Sequence, residues 1–389
     1  MLRFQTAGES HGQCLIALIS GLPLGLAVDF YFLNAQLHRR QLGYGRGGRQ
    51  KIEKDHVQAL SGIRHGKTIG APIVLQIENR DWANWQETMS VTQEPPADRA
   101  RPLTQPRPGH VDLAGCLKYD LHDARFLLER ASARETAARV AAGAMARLLL
   151  REFGIEVWSH TLAVGGVRLE RAASWEEIVA ANENLDSPLR CVDSRVEQAM
   201  KAEVDRALKE GDSVGGIFEV VAHHVPPGLG SHANWDEKLD GQLAQAVMSI
   251  QAVKAVEIGA GVWAAQMPGS EVHDAIGYDA EQRRFTRVAN HAGGLEAGIT
   301  NGEDVVVRGY LKPISTLRRP LQSVDLVTKE VVRAAYERSD VCVVPAAGCA
   351  GEAMVGLALA RAFLEKFGGD TLAEVRRNFE GYQQQLREF

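Results

Sequence analysis

The sequence RASARETAARVAAGAMARLLLREFG, residues 130–154, contains the clearest helical pattern in the chain. Its apolar residues recur about every 3.6 positions, at Val140, Ala144, Leu148 and Leu149. Ser132 and Glu135 have the spacing of a capping box, and Gly154 stands where a helix-terminating glycine belongs. The pattern therefore predicts a helix over residues 133–153 that buries an apolar face.

Further helices and strands flank this segment in clusters. Two more helices are predicted, over residues 194–208, opened by Ser194 and Glu197, and over residues 346–367, closed by two glycines. Short alternating or apolar runs predict strands at residues 14–20, 57–63, 72–78, 156–164, 216–222 and 304–311. Because strands and helices do not alternate strictly, the sequence favours an α+β fold over a doubly wound α/β fold.

The composition limits the classes of protein to which the chain can belong. Of its 389 residues, 45% are hydrophobic and 24% charged, and the formal net charge is −5. Disordered chains have few apolar groups and a large net charge, so disorder of the whole chain is excluded. The acidic balance argues against sequence-independent binding of nucleic acid, which needs a basic face. No linker is evident, so we expect a single large domain over residues 1–389 that buries further surface in an oligomer.

Cysteine usage and apolar stretches indicate the compartment. The five cysteines are scattered without a CxxC pair, which fits a reducing cytosol better than a disulfide framework. The N-terminal residues lack a charged region followed by an apolar core, so no signal peptide is predicted. The apolar stretch at residues 346–364 is interrupted by Glu352 and Arg361 and is not expected to span a bilayer. A cytoplasmic protein without a membrane partner is expected.

Common nucleotide and metal motifs are out of register in this sequence. Residues 62–68 are one residue short of a Walker A loop, whose amides must wrap a phosphate. The glycines at residues 43–48 do not open a helix after a strand, as a dinucleotide fingerprint would. Adjacent residues of a strand point to opposite faces, so His223 and His224 are not expected to share a metal ion.

Two N-terminal segments hold residues that a purely structural role explains poorly. In GESHG, residues 8–12, His11 lies in a tight turn whose glycines let a backbone approach a ligand, although a hydrogen-bonded turn residue is the simpler interpretation. Residues 38–49, HRRQLGYGRGGR, contain four arginines and no lysine or acid. Arginine recognises phosphate and carboxylate through paired hydrogen bonds. This segment alone leaves a solvated charged surface and a site for a small polyanion both open.

A third segment combines a histidine with a helix start. RPGHVD, residues 107–112, places His110 beside a turn glycine. Arg134 is expected in the first turn of the long helix, where its charge opposes the helix dipole. The helix amides, Ser132 and nearby arginines would form a phosphate site, although Ser132 can simply cap the helix.

The C-terminal third contains a fourth segment of this kind. KPIST, residues 312–316, follows a predicted strand and offers lysine, serine and threonine to a second anionic group. Arg338 and Asp340 lie further along the chain. Without their context, an ordinary surface ion pair is the better interpretation of these two residues.

Six motifs in one order resemble the chorismate synthase family. They are, along the chain, GESHG, RRQLGYGRGGR, RPGHVDLAGCLKY, RASARETAARVAAGA, KPIST and RSDVCVVP. Each motif alone is a weak signal, whereas six collinear matches are specific. The resemblance implies an α+β fold with helices sandwiched between antiparallel sheets, and a cytosolic, homotetrameric enzyme of the shikimate pathway.

The resemblance also implies a reaction. Members of the family convert 5-enolpyruvylshikimate-3-phosphate to chorismate and phosphate by an anti-1,4-elimination. They require reduced FMN (FMNH2), although the reaction has no net redox change. The two carboxylates and the phosphate of this substrate would account for the many arginines. No carbonyl acidifies the C6 hydrogen, so the cofactor would carry the difficult step while the protein supplies orientation and charge.

Residue roles follow from the same resemblance. His11 matches the histidine that protonates reduced flavin, His110 the one that assists the departing phosphate, and Asp340 the acid that works with flavin N5. Substrate ligands are matched by Arg40, Arg46, Arg49, Arg107 and Arg134. Flavin contacts are matched by Arg130, Ala131, Ser132, Gln251, Ala252, Ala297, Lys312, Pro313, Ile314, Ser315, Thr316 and Arg338. Ala297 replaces an expected glycine, which is harmless for a backbone contact but strained if the site requires a positive φ.

Two other functions remain open from the sequence. A flavin-dependent oxidoreductase acting on a phosphorylated carboxylate would consume NADPH in proportion to product. A non-enzymatic protein that binds phosphorylated metabolites would explain the arginines but not the two turn histidines with Asp340. Some relatives reduce their own flavin with NADPH, but the missing dinucleotide fingerprint leads us to expect a separate flavin reductase.

Overall fold

A four-stranded and a five-stranded antiparallel sheet enclose a layer of helices. The computed structural model describes residues 1–48, 52–97, 100–184, 187–337 and 339–389. The first sheet has the order β1 (Arg3–Ala7), β2 (Cys14–Ser20), β6 (Ile73–Glu78) and β3 (Val57–Ser61). The second has the order β10 (Val253–Ile258), β15 (Val305–Leu311), β9 (Gly216–His223), β7 (Glu156–Val164) and β8 (Val167–Arg168).

Short hairpins and helices fill the connections. The hairpins pair β4 (Ile63–Arg64) with β5 (Lys67–Thr68), β11 (Ile276–Asp279) with β12 (Arg284–Arg287), β13 (Leu295–Glu296) with β14 (Ile299–Thr300), and β16 (Gln322–Val324) with β17 (Val331–Arg333). The α-helices are α1 (Phe30–Gln41), α2 (Asp112–Tyr119), α3 (Arg125–Ala131), α4 (Thr136–Arg151), α5 (Trp175–Glu183), α6 (Ser194–Glu210), α7 (Leu239–Met248), α8 (Gly261–Ala264), α9 (Gly269–Val272), α10 (Val344–Phe367) and α11 (Leu372–Glu388).

The long helices α4 and α10 form the centre of the molecule. Helix α4 packs against β2 and β6 of the first sheet, and α10 packs against β7 and β9 of the second. The two helices also pack extensively on each other, so the helical layer lies between the sheets. This arrangement confirms the predicted α+β fold with helices sandwiched between antiparallel sheets.

Glycine allows the central layers to approach closely. A methyl group on Gly143 of α4 would lie 2.3 Å from Cα of Ala353 in α10. A methyl group on Gly351 of α10 would lie 2.6 Å from the ring of Phe218 in the second sheet. Larger residues at these positions would push the layers apart and lose dispersion contacts along their length.

Helix α10 is a core helix despite its apolar length. Contrary to the expectation for residues 346–364, Val344–Phe367 is long and apolar enough to cross a bilayer. However, 83% of its most apolar window is buried inside the protein. Its apolar side chains are therefore accounted for by packing between the two sheets.

The predicted start of the long helix is wrong in its details. Residues Ala133–Glu135 form a 3₁₀ turn, and the α-helix begins at Thr136. Ser132 does cap this turn by accepting a hydrogen bond from the Arg134 amide, at 3.3 Å. The carboxylate of Glu135 does not complete a capping box, because it accepts from Thr6 and Arg139 instead. Gly154 has a φ of 76°, as expected of a helix-terminating glycine.

Two other local predictions also need correction. Helix α6 is capped by Asp193 rather than Ser194, since the Asp193 carboxylate accepts from the amides of Arg195 and Val196. The predicted strand 57–63 ends at Ser61, because Gly62 has a φ of 78° and turns the chain into the β4–β5 hairpin.

The two adjacent histidines also differ from expectation. His224 lies just beyond the end of β9 and has a φ of 60°, so the strand alternation no longer applies to it. The ring centroids of His223 and His224 are 3.8 Å apart, and the rings do not lie on opposite faces. Nδ1 of His223 instead lies 2.7 Å from Oδ1 of Asp304.

A buried carboxylate joins four elements of the core. Glu352 of α10 is fully buried and accepts hydrogen bonds from Arg39 of α1, at 2.8 Å, and from Arg147 of α4, at 2.7 Å. The amide and hydroxyl of Ser159 in β7 also donate to it, at 3.0 and 2.7 Å. Burial alone would raise the pKa of Glu352, but the charges of Arg39 and Arg147 outweigh burial and lower the pKa to about 2.

We predict that Glu352→Gln destabilises the protein by about 3–5 kcal/mol at neutral pH, because two buried guanidinium groups lose their counter-charge. The unfolded carboxyl titrates near 4.5 and the folded one at about 2. The stabilisation by this charge is therefore fully present above about pH 4.5 and is lost as the pH falls toward 2. Denaturant unfolding of both proteins between pH 7 and pH 3 measures the difference.

Glu365→Gln provides the matched control on the same helix. Glu365 forms an exposed pair with Arg361, at 2.9 Å, and such pairs contribute about 0–1 kcal/mol. A loss for Glu352→Gln no larger than that of the control, or one that stays constant with pH, would contradict the prediction.

Candidate active site

A cavity of about 900 Å³ lies where the end of α1 meets the beginnings of α4 and α10. Most residues predicted to bind ligands or to act in catalysis line this cavity. They are His11, Arg40, Arg46, Arg107, His110, Ala131, Ser132, Arg134, Gln251, Ala252, Lys312, Ile314, Ser315, Thr316 and Asp340. The fold therefore gathers residues from the whole length of the chain into one place.

Several predicted residues do not line the cavity. Arg130 points instead to the Thr6 and Gly8 carbonyls, at 2.8 and 3.2 Å, and Pro313 is absent from the described lining. Ala297 lies in the turn between β13 and β14, where its φ of 52° shows that the position does require a left-handed backbone. Arg49 and Arg338 lie outside the described residues.

Arg40 and Arg134 form a buried cationic wall. Both donate to Asp55, Arg40 at 3.3 Å and Arg134 at 2.5 Å, and both arginines are almost fully buried. Nε of Arg40 also donates to Thr136, at 2.8 Å, so the guanidinium is fixed at the start of α4. Burial lowers the pKa of Arg40 to about 10, which still leaves it charged at neutral pH. The wall is thus a preformed feature rather than a set of mobile side chains.

His110 belongs to a compact group with Arg107 and Asp112. Nδ1 of His110 lies 2.5 Å from Oδ1 of Asp112, whose carboxylate is fully buried. Arg107 donates to both Asp112 oxygens, at 2.8 and 3.0 Å, and also to Oγ1 of Thr316, at 3.1 Å. Burial alone would raise the pKa of Asp112, but the hydrogen bonds and charges of His110 and Arg107 hold it well below its usual range.

His11 is held by Glu129 of α3. Its Nδ1 lies 2.9 Å from Oε2 of Glu129, and its backbone amide donates to the same oxygen at 2.9 Å. Arg125 donates to the other carboxylate oxygen, at 3.1 Å. The imidazole stacks on Trp85, with ring centroids 4.0 Å apart. These contacts fix both the backbone and the ring of His11 at the cavity wall.

Asp340 forms its described contacts with the arginine-rich loop. Oδ2 lies 2.9 Å from Arg46, and Oδ1 accepts from the amide of Gly47, at 2.5 Å. Glycine at residue 47 permits this approach, since a methyl group there would lie 2.8 Å from the Ser339 carbonyl. The arginine-rich loop is therefore docked on the segment that precedes α10.

A second set of lining residues fits a flavin. Gln251 donates to Glu135, at 3.1 Å, while its carbonyl oxygen is buried without a hydrogen-bond partner among the described residues. A flavin ring carries N–H donors at its edge that such an oxygen can accept. Trp85, Leu128, Ile250 and Val343 contribute apolar lining, and Lys312, Ser315 and Thr316 offer polar groups for a phosphate. The residues present thus suit both parts of FMN.

Sequence reasoning missed the carboxylates and the aromatic residue that organise the site. Asp55, Glu129 and Trp85 carried no motif of their own. Glu129 lies four residues after Arg125 on α3, a spacing that indicates an ion pair but not its contact with His11, 118 residues away. Asp55 and Trp85 lie in irregular segments that the local pattern left without a role.

Comparisons with known proteins agree with this geometry. The sequence profile of the chorismate synthase family matches residues 2–364. The chain is 63% identical over 394 residues to chorismate synthase of Acidobacterium capsulatum, and 60% identical over 389 residues to that of Solibacter usitatus, with 100% of every chain covered. A crystal structure of chorismate synthase matches with a TM-score of 0.79 and 41% identity over 100% of this chain and 99% of that chain. The chain therefore belongs to the chorismate synthase family, whose enzymes are carbon–oxygen lyases.

Proposed function

We propose that the cavity eliminates phosphate from 5-enolpyruvylshikimate-3-phosphate to give chorismate, with reduced FMN as cofactor and the whole chain acting as one catalytic domain. One observation carries the proposal. Two oriented histidines and Asp340 share a cavity with Arg40, Arg46, Arg107, Arg134 and Lys312. A substrate with two carboxylates and a phosphate requires this combination of cations and acid–base groups.

The arginines would bind and orient the substrate. Arg40 and Arg134 are held by Asp55, and Arg107 by Asp112, so their guanidinium groups are fixed before a ligand arrives. Fixed donors avoid the free-energy cost of ordering long side chains on binding. Arg49 is proposed to contribute as a further ligand.

The region of Gln251 would hold the cofactor. This region is lined by Ala131, Ser132, Gln251, Ala252, Lys312, Ile314, Ser315 and Thr316. Arg130, Ala297, Pro313 and Arg338 are further proposed contacts. When bound, reduced FMN supplies an electron-rich ring that assists cleavage of the C6–H bond of the substrate without net redox change.

The acid–base residues would then move protons at defined atoms. His110 is placed to protonate the departing phosphate through Nε2, because Nδ1 faces Asp112. His11 is placed in the same way to give a proton to the cofactor, because its Nδ1 faces Glu129. Asp340 holds a proton at its carboxylate after the C6–H bond breaks. The apolar lining around Trp85 and Val343 limits access of water to these steps.

We also propose a cytoplasmic homotetramer whose flavin is reduced by a separate reductase. Helices α2 and α3 support an oligomer, because Leu113, Leu117 and Phe126 are 48, 75 and 74% exposed. Large exposed side chains clustered on adjoining helices are typical of a protein interface. Light scattering of the purified protein measures the mass directly, and a monomer would contradict this part of the proposal.

The reaction itself is tested by anaerobic release of phosphate. The protein is mixed with 5-enolpyruvylshikimate-3-phosphate and dithionite-reduced FMN, and phosphate and chorismate are measured together. Equal amounts of both products, with no flavin oxidised per turnover, are expected. Tight substrate binding without phosphate release, or consumption of NADPH in proportion to product, would contradict the proposed function.

We predict that His110→Ala lowers turnover by about 10²–10⁴-fold, the usual range for loss of a general acid, while FMN still binds. The loss follows because the phosphate must leave without a proton from Nε2. Stopped-flow phosphate release under reducing conditions measures the step, and flavin titration measures binding. His232→Ala, at an exposed position, is the control. Turnover of His110→Ala within about threefold of the unmodified protein would remove His110 from the mechanism.

A further prediction concerns Asp340→Asn, which keeps the size of the side chain but cannot take up a proton. We expect nearly normal binding of FMN and substrate and turnover at least about tenfold slower, equivalent to about 1.4 kcal/mol of barrier. The alternative is that Asp340 only positions Arg46, to which it is bound at 2.9 Å. In that case KM would rise, as is also expected for Arg46→Gln, and kcat at saturation would be unchanged.

A further inference from the structure

We propose that Glu129 and Asp112 are positioning residues of the active site, which hold His11 and His110 with a proton on Nδ1 and leave Nε2 of both rings to act on the bound ligands. The inference rests on the proposed roles of the two histidines. It adds two residues and one orientation rule to them, and it applies the same arrangement to both rings.

The two histidines have matching surroundings. Each Nδ1 faces a carboxylate whose side chain is at most 1% exposed, Glu129 at 2.9 Å and Asp112 at 2.5 Å. Each carboxylate is in turn held by an arginine, Glu129 by Arg125 at 3.1 Å and Asp112 by Arg107 at 2.8 Å. The order histidine, carboxylate, arginine therefore occurs twice around one cavity.

The position of the ring proton follows from these partners. An ionised carboxylate can only accept hydrogen bonds, so a nitrogen in contact with it must carry the proton. Burial alone would raise the pKa of Glu129, but the hydrogen bonds and charge of His11 outweigh burial and lower it. The pKa of Asp112 is held low in the same way, chiefly by His110 and Arg107. Both carboxylates are thus ionised, and both Nδ1 atoms carry a proton.

The other ring nitrogen is available to ligands. Nε2 of His11 and Nε2 of His110 have no hydrogen-bond partner among the described residues, and both rings line the cavity. Stacking on Trp85 and the bond from the His11 amide to Glu129 oppose rotation of that ring. For His110, the Nε2–H bond would break as a bond forms between that proton and a phosphate oxygen. The proton on Nδ1 would stay on the ring, hydrogen-bonded to Asp112.

Other charged groups act on both rings. Around His11 these are Arg125 on α3, and Arg101 and Asp81, which contact the Trp85 ring on which it stacks. Around His110 these are Arg107, at 3.0 Å from Nδ1, and Lys312 near the adjacent Gly109. The cations disfavour an imidazolium and the carboxylates favour it. Removing one carboxylate while the cations remain should therefore make the affected ring lose its proton at lower pH.

The test uses Glu129→Gln and Asp112→Asn in the full-length protein with reduced FMN. An amide keeps the shape and can accept from Nδ1, but it can also donate and so no longer fixes the tautomer. We expect kcat to fall at least about tenfold in both variants and the alkaline limb of the kcat profile to move to lower pH. KM should stay within about threefold in Glu129→Gln and rise in Asp112→Asn, which also removes the partner of the substrate ligand Arg107. An altered KM with unchanged kcat and pH profile would mean a structural role only and would overturn the inference.

Asp304→Asn is the matched control. Asp304 forms the same type of pair with Nδ1 of His223, at 2.7 Å, but both residues lie away from the cavity lining. The kcat and the pH profile of Asp304→Asn should equal those of the unmodified protein. Variants of the histidines themselves separate the two proposals: full turnover in His11→Ala and His110→Ala would reject the proposed function, whereas slow histidine variants with normal carboxylate variants would reject this inference alone.

A measurement without carboxylate variants covers the case in which they fail to fold. Solid-state ¹⁵N NMR of the unmodified protein, labelled only on histidine, distinguishes the two neutral tautomers. Spectra are recorded at about pH 9, well above the ordinary histidine pKa near 6.5, and the signals of neutral imidazole are selected by their ¹⁵N shifts. His11→Gln and His110→Gln assign the two signals. Protonated Nδ1 with unprotonated Nε2 is expected for both, and a proton on Nε2 of either ring would overturn the inference for that ring.

Discussion

The buried charge of Glu352 is the constraint on which the rest of the structure depends. Glu352 lies in α10 and is bound by Arg39 of α1, Arg147 of α4 and Ser159 of β7. Two further helices and one strand therefore meet at this carboxylate. A buried carboxylate without these partners would cost several kcal/mol, so the elements must dock together or not at all. Because Arg40 follows Arg39 directly, the same contact that closes the core also delivers the cationic wall of the cavity.

A second requirement is that several arginines share a small volume although their positive charges repel one another. Asp55 lies behind Arg40 and Arg134, and Asp112 lies behind Arg107. These carboxylates offset the mutual repulsion of the cations and occupy part of their hydrogen-bonding capacity. The remaining donors are fixed in direction before the substrate binds. The cavity is therefore preorganised for anions by negative charge buried behind its surface.

The sequence predicted the parts that depend on local pattern. Helical spacing located the core helices, and the family resemblance pointed to His11, His110 and four of the arginines that line the cavity, Arg40, Arg46, Arg107 and Arg134. It could not predict Glu129 or Asp55, whose roles arise from contacts with residues distant in sequence. The predicted capping box at Ser132 was wrong for the same reason, because the Glu135 carboxylate accepts a hydrogen bond from Thr6, far away in sequence, instead of from the helix end. Tertiary contacts overrode local rules at the positions nearest the site.

The two histidines reach a similar geometry by different structural means. His110, Asp112 and Arg107 lie within six residues at the start of α2, so their arrangement follows from a local turn. His11 and Glu129 are 118 residues apart, and their contact exists only when α3 docks beneath the loop after β1. The amide of Ser10 reinforces this docking by donating to the Glu129 carbonyl, at 3.0 Å. The orientation of His11 is therefore coupled to tertiary packing, whereas that of His110 is built into its own segment.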